Sequence, residues 1–386
     1  PVLDRIFLVC YGMMFYIIKA FAPFYLSAFH YYPEKTDGAL PLEYYLAPVG
    51  IALIIFLFIR LKKIRKELVF GLLFFLFTIV LVIQILPVGF AIVAERYSYV
   101  PYIGLFFIGG KLFSDFTENK FGNFSKSIMN YIVFGILIIA AFFSYITFER
   151  NKEWKNGIIL FNDIIAKNPE RGHAYWARGN GKYDMGDIPG ALEDFKNGIK
   201  YGHKVAVVYN NKANCYFKMD SVYKAIEGYN EALQVDSTYA MSYYNRATAL
   251  QQIGKYREAI PDYKKAIVYN FDNPSWAYSG ICYSQYSLGD YKAALINADK
   301  AINAKNDYPN AYFNKAMVLY SQKNYSASLE NYNKAIKYNP DYTSAYFNRA
   351  LVKIALADTT GACNDFSKSS QLGYEPANNA IKIYCK

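Results

Sequence analysis

Apolar and polar positions follow two different rules along this chain. Up to residue 150 they separate into blocks: Leu68 to Ala94 is a run of 27 residues without a formal charge, and Ile128 to Phe148 one of 21. As a helix, at about 1.5 Å per residue, either run is long enough to cross roughly 30 Å of hydrocarbon. Tyr44 to Ile59 reads as a further span with Tyr44 and Tyr45 as interfacial aromatics, and Tyr97 to Gly110 as a shorter one. Ile6 to Tyr32 contains Lys19 and Pro23 and reads either as a kinked helix or as a segment lying in the interface. The pattern therefore predicts four or five membrane helices in residues 1–148.

Beyond residue 150 the blocks give way to a repeat. Ala191, Ala225, Ala259, Ala294, Ser328 and Ala362 are spaced by 34, 34, 35, 34 and 34 residues. Small residues also recur at repeat position 8 (Gly179, Ala213, Ala247, Cys282, Ala316, Ala350) and aromatics at position 24 (Phe195, Tyr229, Tyr263, Tyr332, Phe366). Small residues let two helices of one repeat approach closely, and the aromatics fill the gap to the next repeat, so the array folds only as a stack. The period and these positions resemble the tetratricopeptide repeat. The resemblance implies six helix pairs over residues 172–376, a leading linker over 149–171 and a cap helix over 377–386. The expected fold class is all-α, with membrane helices followed by an α-solenoid.

In that repeat family the first helix of each pair, helix A, lines a concave groove. Position 6 on helix A reads Ala177, Asn211, Asn245, Gly280, Asn314 and Asn348. An asparagine offers both donor and acceptor, so a row of them can bind an extended peptide backbone without reading its side chains. The row resembles the asparagine ladder of the O-linked N-acetylglucosamine transferase superhelix; alternatively, Asn at this position is a common feature of the repeat with no ligand. Asn210, Asn214, Tyr244, Phe313 and Phe347 border the same groove, and the break at Gly280 suggests two binding stretches. Position 7 is basic in five repeats (Arg178, Lys212, Arg246, Lys315, Arg349), which reads as a solvated edge or as an anion-binding stripe.

Charge sharpens the division. Residues 1–150 carry 13 Lys/Arg and 9 Asp/Glu, and residues 151–386 carry 29 and 22, which excludes intrinsic disorder. Five basic residues within Arg60–Lys66 mark the cytoplasmic side, and three spans after them would put the repeats on the periplasmic or luminal side. The chain opens Pro1-Val2-Leu3-Asp4, without an initiator Met or a signal peptide, and reads as a piece of a longer protein.

The chemistry offers few candidates. Cys10, Cys215 and Cys282 read as buried thiols; Cys363 and Cys385 read either as a disulfide clamping the last helices, in an oxidising compartment, or as two more thiols. His30, His173 and His203 have no partners at metal-ligand spacing, Gly179-Asn180-Gly181-Lys182 lacks the phosphate-loop spacing, and Glu193-Asp194 reads as solvated surface. No catalytic constellation, metal site or cofactor is expected, and no nucleic-acid module is present.

Glu95 and Arg96, at a membrane boundary beside Pro101 and Gly104, either grip a lipid phosphate or anchor a loop. The stretch of residues 94–104, followed by a tetratricopeptide array, resembles the C-terminal part of the transmembrane and tetratricopeptide-containing O-mannosyltransferases, which have the GT-C membrane fold. That resemblance implies that Glu95 and Arg96 hold the phosphate of a polyprenyl-phosphate-linked sugar, while the family's catalytic acid lies upstream of this chain. Two functions follow as expectations. One is a membrane-anchored module binding protein or peptide partners in its groove. The other is the acceptor-recruiting part of a glycosyltransferase.

Overall fold

The computed structural model describes residues 2–28, 30–33, 35, 37–60, 66–80, 83, 91–94, 97–118 and 125–385. It divides into two compact units, residues 1–170 and 171–386.

In the first unit the described helices are α1 (Val2–Phe21), α2 (Leu42–Arg60), α3 (Lys66–Val80), α4 (Tyr99–Thr117), α5 (Lys126–Lys152) and α6 (Gly157–Lys167). Two short strands, β1 (His30–Tyr31) and β2 (Ala91–Val93), pair antiparallel with His30 opposite Val93. Tyr16, Leu40, Tyr44, Phe75, Ile79 and Ile92 form the core of this unit. The Tyr16 hydroxyl ties α1 to the end of β2, donating to the carbonyl of Ala94 at 3.1 Å and accepting from its N–H at 3.2 Å. Helices α3 and α4 approach most closely at Gly71 and Gly104. A Cβ on Gly104 would lie 2.4 Å from the Gly71 carbonyl oxygen, so only glycine fits there.

These elements correct the reading of the apolar runs. The run from Leu68 to Ala94 is not one helix: α3 ends at Val80 and residues Ala91–Val93 are a strand. In the segment Ile6 to Tyr32, helix α1 stops at Phe21, two residues before Pro23, whose ring disfavours helix in the residue preceding it. Of the four or five expected membrane helices, one is long and apolar enough to cross a membrane among the described residues, Ser127–Lys152, and none of its apolar window is buried. Leu42–Phe56 is a shorter apolar helix. Most of the basic loop that was to orient the spans, residues 61–65, lies outside the described residues.

The second unit is six helix pairs and a closing helix. The pairs are α7 (Gly172–Asp184) with α8 (Ile188–Lys200), α9 (Ala206–Lys218) with α10 (Val222–Val235), and α11 (Ala240–Gln252) with α12 (Tyr256–Val268). They continue as α13 (Pro274–Ser287) with α14 (Tyr291–Ala304), α15 (Pro309–Ser321) with α16 (Tyr325–Tyr338), and α17 (Thr343–Ala355) with α18 (Thr359–Gln371). The closing helix α19 (Glu375–Tyr384) takes Pro376 into its first turn, where the missing N–H costs nothing.

The repeat positions explain the stacking. Ala213, Ala247, Cys282, Ala316 and Ala350 are fully buried between the helices of a pair, and Phe195, Tyr229, Tyr263, Tyr332 and Phe366 are buried behind them. Each pair turns through one left-handed residue: Gly186, Gly254 and Gly289 in three repeats, but Asp220, Lys323 and Ala357 in the others. The second helix is then started by a side-chain cap in four repeats. Asp187, Asp290, Asn324 and Asp358 accept from the N–H three residues on, each cap being worth about 1 kcal/mol.

Candidate binding groove

Successive A helices touch one another, α7 with α9 and so on to α17, while the B helices pack chiefly on their neighbouring A helices. This places the A helices on the tighter, concave side of the stack. The asparagines of position 6 sit there half-buried, and each amide nitrogen is already engaged. Asn211 Nδ2 donates to Asn180 Oδ1 at 2.9 Å. Asn245 Nδ2 donates to Asn210 Oδ1 at 3.0 Å and to Asn214 Oδ1 at 3.2 Å, and Asn314 Nδ2 to the backbone and hydroxyl oxygens of Ser279 at 3.1 and 2.9 Å. Three rungs are thus tied back to the preceding A helix. What remains for a ligand is mainly the acceptor side, since the Oδ1 atoms of Asn245, Asn314 and Asn348 accept nothing from the described residues and are not fully buried.

The fourth rung differs for a reason visible in the sequence. The preceding repeat offers Asn348 only Phe313 and Met317 at positions 5 and 9, where the other rungs find Asn180, Asn210, Asn214 or Ser279. Asn348 Nδ2 therefore turns back to the carbonyl of Ser344 in its own helix, at 2.8 Å. Asn210 is 2% exposed and supports the ladder from behind rather than bordering the groove, while the half-buried Asn214 accepts from the Tyr229 hydroxyl at 2.8 Å and borders the groove beside the first rung. Tyr244, Phe313 and Phe347 are half-buried and packed on the loop leading to the next repeat. Tyr244 stacks on Phe271 with ring centroids 4.5 Å apart, Phe313 on Tyr342 at 4.9 Å, and Phe347 meets Tyr374 edge-on at 5.1 Å.

At Gly280 the ladder breaks because its space is taken. The Tyr263 ring fills the position, and a Cβ on Gly280 would lie 2.4 Å from that ring. Around it lies a pocket of about 260 Å³, between Tyr244 on one side and Asn314 and Tyr342 on the other. A second pocket of about 410 Å³ lies beside the first rung, lined by Trp176, Asn180, Tyr183, Asp184, Val207, Asn211 and Asn214.

The three arginines of position 7 form neither an anion-binding stripe nor a solvated edge, while the two lysines make ion pairs at the surface. Arg178 grips Asp194 bidentately at 2.8 and 2.6 Å, Arg246 grips Asp262 at 2.6 and 2.7 Å, and Arg349 grips Asp365 at 2.8 and 2.5 Å. Lys315 pairs with Asp299 at 2.7 Å, and Lys212 with Glu231. Asp194 is 1% exposed, which corrects its assignment to solvated surface; the hydrogen bonds it accepts from Arg178, and then its charge, raise the pKa of that residue, and Lys182 also lies 2.9 Å from the Asp194 carboxylate. These pairs brace helix A against helix B and are spent within the fold.

Elsewhere, burial pushes the thiols of Cys215 and Cys282 up to about 12, which makes them inert packing residues, and that of Cys10 up as well. Cys363 and Cys385 are joined as a disulfide with Cα atoms 5.7 Å apart, linking α18 to the end of α19. His173 and His203 pack edge-on at 5.3 Å beside Trp176. Among the described residues no group of His, Cys, Asp or Glu is arranged to hold a metal ion. Glu95 and Arg96 lie outside the described residues.

Two segments match family models, residues 204–267 that of the tetratricopeptide repeat and residues 316–355 that of the TPR repeat. No curated protein matches the chain. Among solved structures, the chain is similar to one in the APC/C hetero-tetramer Cut9–Hcn1, at 14% identity and a TM-score of 0.53, covering 60% of this chain and 46% of that one. It therefore spans less than half the length of that chain. A tetratricopeptide repeat protein from Parabacteroides merdae is similar over 63% of this chain and 96% of its own, at 18% identity and a TM-score of 0.50. YrrB, described as a TPR protein with an unusual peptide-binding site, matches over 50% of this chain and 99% of its own, at 21% identity and a TM-score of 0.39. At these identities the likeness to the first two establishes the fold alone.

Proposed function

For a chain built on tetratricopeptide repeats, we propose an interaction module that holds extended peptide segments of protein partners along its A helices, tethered to a membrane and facing its outer side. The observation that carries the binding role is the polarity of the ladder. The amide nitrogens of Asn211, Asn245 and Asn314 are anchored across repeats and that of Asn348 within its own helix, which orders the side chains before any ligand arrives, while the Oδ1 atoms of Asn245, Asn314 and Asn348 remain free to accept peptide N–H groups. Preordering lowers the entropic cost of binding, and acceptors directed at backbone N–H groups favour extended segments of varied sequence.

The tether is the helix Ser127–Lys152, whose exposed apolar side chains, such as Phe134 and Leu137, suit lipid. The outer-side assignment is supported by the disulfide between Cys363 and Cys385, since such bonds persist in oxidising compartments. The binding role is tested with a variant carrying Ala at Asn211, Asn245, Asn314 and Asn348. A variant that keeps its helical signal should lose most of its affinity for labelled extended peptides; unchanged affinity would refute the groove. Protease added outside sealed vesicles of native orientation should cut the repeats, and full protection would refute the sidedness.

A further inference from the structure

The pocket at the break in the ladder has a chemistry of its own. None of the residues lining its 260 Å³ is charged, although Lys and Arg are frequent elsewhere in the repeats. Three rings run through it from successive repeats: Tyr244, Trp276 and Tyr308, with centroid separations of 6.2 and 6.5 Å. Trp276 is 38% exposed, large for an indole in a packed helix array.

The hydrogen-bonding inventory is lopsided. Gln251 Nε2 is committed to the Gly280 carbonyl at 3.0 Å and the Ser284 hydroxyl at 2.8 Å, and Asn314 Nδ2 to Ser279. Tyr308 accepts from Asn310 Nδ2 at 3.1 Å, which leaves its own hydroxyl proton to donate, and the partly exposed Trp276 indole makes no hydrogen bond among the described residues. The site thus offers flat aromatic faces and unspent donors, without charge.

We propose that this pocket binds an uncharged, proline-rich segment in the polyproline II conformation, as the specificity-determining stretch of the peptide groove. The inference rests on the groove reading given above and adds to it a sequence class. Proline presents a flat ring to aromatic faces and no N–H, and the carbonyls of such a segment need donors, which Trp276 and Tyr308 retain. Polyproline II advances about 3.1 Å per residue, so each ring-to-ring step corresponds to about two residues and about five residues cover Tyr244 to Tyr308. The segment is largely preformed before binding, which suits a pocket with no charge to supply affinity. An acidic segment would find no cation in the pocket, and a basic one no anion.

The test uses the full chain in detergent and a fluorescein-labelled peptide of repeated Ala-Pro-Pro units, followed by fluorescence anisotropy. Binding should saturate, survive a change from low to high salt, and weaken by at least about tenfold in Trp276→Ala, while Trp276→Phe, which keeps a ring, retains most of it. A peptide of equal length with Ala and Ser in place of proline should bind far more weakly. Proline-peptide affinity unchanged in a folded Trp276→Ala protein, equal affinity for the Ala/Ser peptide, or no saturable binding would each overturn the proposal. So would Trp276-dependent binding of a neutral oligosaccharide in place of the peptide. If Trp276→Ala leaves every peptide untouched while the four-asparagine variant loses mixed-sequence peptides, the pocket assignment fails and the groove reading stands.

Discussion

Gly280→Ala sets two effects of opposite sign against each other. In an exposed helix, replacing Gly by Ala stabilises by about 1 kcal/mol, because glycine loses more backbone freedom on folding. Here the added Cβ would lie 2.4, 2.6 and 2.8 Å from three atoms of the Tyr263 ring, where carbon atoms prefer about 3.5–4.0 Å. The ring has little room to retreat. It is 2% exposed, and its hydroxyl lies 3.2 Å from Thr248 Oγ1 and 3.3 Å from Gln251 Oε1. Overpacking a buried site costs roughly 1–3 kcal/mol, and three ring atoms inside contact distance argue for the upper half of that range.

The net expectation is therefore a loss of about 1–2 kcal/mol, read as a lower urea midpoint with an unchanged slope by circular dichroism. The decisive comparison is the same substitution in a Tyr263→Leu background, where the ring is gone. There Gly280→Ala should become neutral or stabilising, giving a coupling of about 1–3 kcal/mol between the two sites. A neutral or stabilising Gly280→Ala in the natural background would show that Tyr263 does not occupy the missing rung, and the account of the broken ladder would fall.

Three further outcomes follow from the same structure. Burial lowers the His173 pKa from its ordinary 6.5 to about 4, with the neighbouring His203 adding to the effect, so the folded chain holds this imidazole neutral while the unfolded chain protonates it. Stability of the repeat unit should then be fully present above about pH 6.5 and fall as the pH drops towards 4, by roughly 1–2 kcal/mol once partial solvent screening is allowed for. His173→Phe should flatten that part of a midpoint-against-pH curve, and an unaltered curve would refute the assignment. Reducing the disulfide between Cys363 and Cys385, which closes 22 residues, should loosen the last helices by roughly 3 kcal/mol, seen as faster amide exchange in Glu375–Tyr384 with exchange in Ala240–Gln252 unchanged. Arg246→Met leaves Asp262, 6% exposed, without its bidentate partner and should cost about 3 kcal/mol; adding Asp262→Leu should recover much of it.

What was legible in the sequence and what was not divide along a physical line. The 34-residue period, the small residues at position 8 and the aromatics at position 24 read directly, because helix stacking imposes the same steric demand on every repeat. The left-handed turn was legible only where it is glycine; Asp220, Lys323 and Ala357 take the same conformation without announcing it. The uncharged run from Leu68 misled because hydropathy measures composition and not continuity: α3 ends at Val80 and the strand Ala91–Val93 stands where the absence of charge suggested one helix, whereas the break at Pro23 was legible from the proline itself.

The stripe of position 7 was misread by looking along helix A alone. Its partners stand sixteen residues later on helix B, and wherever position 7 is Arg the answering residue is Asp: Arg178 with Asp194, Arg246 with Asp262, Arg349 with Asp365. In the two repeats where position 7 is Lys, the answering residue is Gly228 or Asn331, and the lysines reach elsewhere, Lys212 to Glu231 and Lys315 to Asp299. The same logic governs the ladder: a position 6 asparagine becomes a rung only if the previous repeat supplies a polar group at position 5 or 9. In a stacked array the meaning of a repeat position is set by pairs across the interface, so the unit to align is the repeat together with its neighbour. By that rule Asn348, facing Phe313 and Met317, is the rung to change: Met317→Asn should draw its amide across to α15 and lengthen the ordered ladder by one repeat.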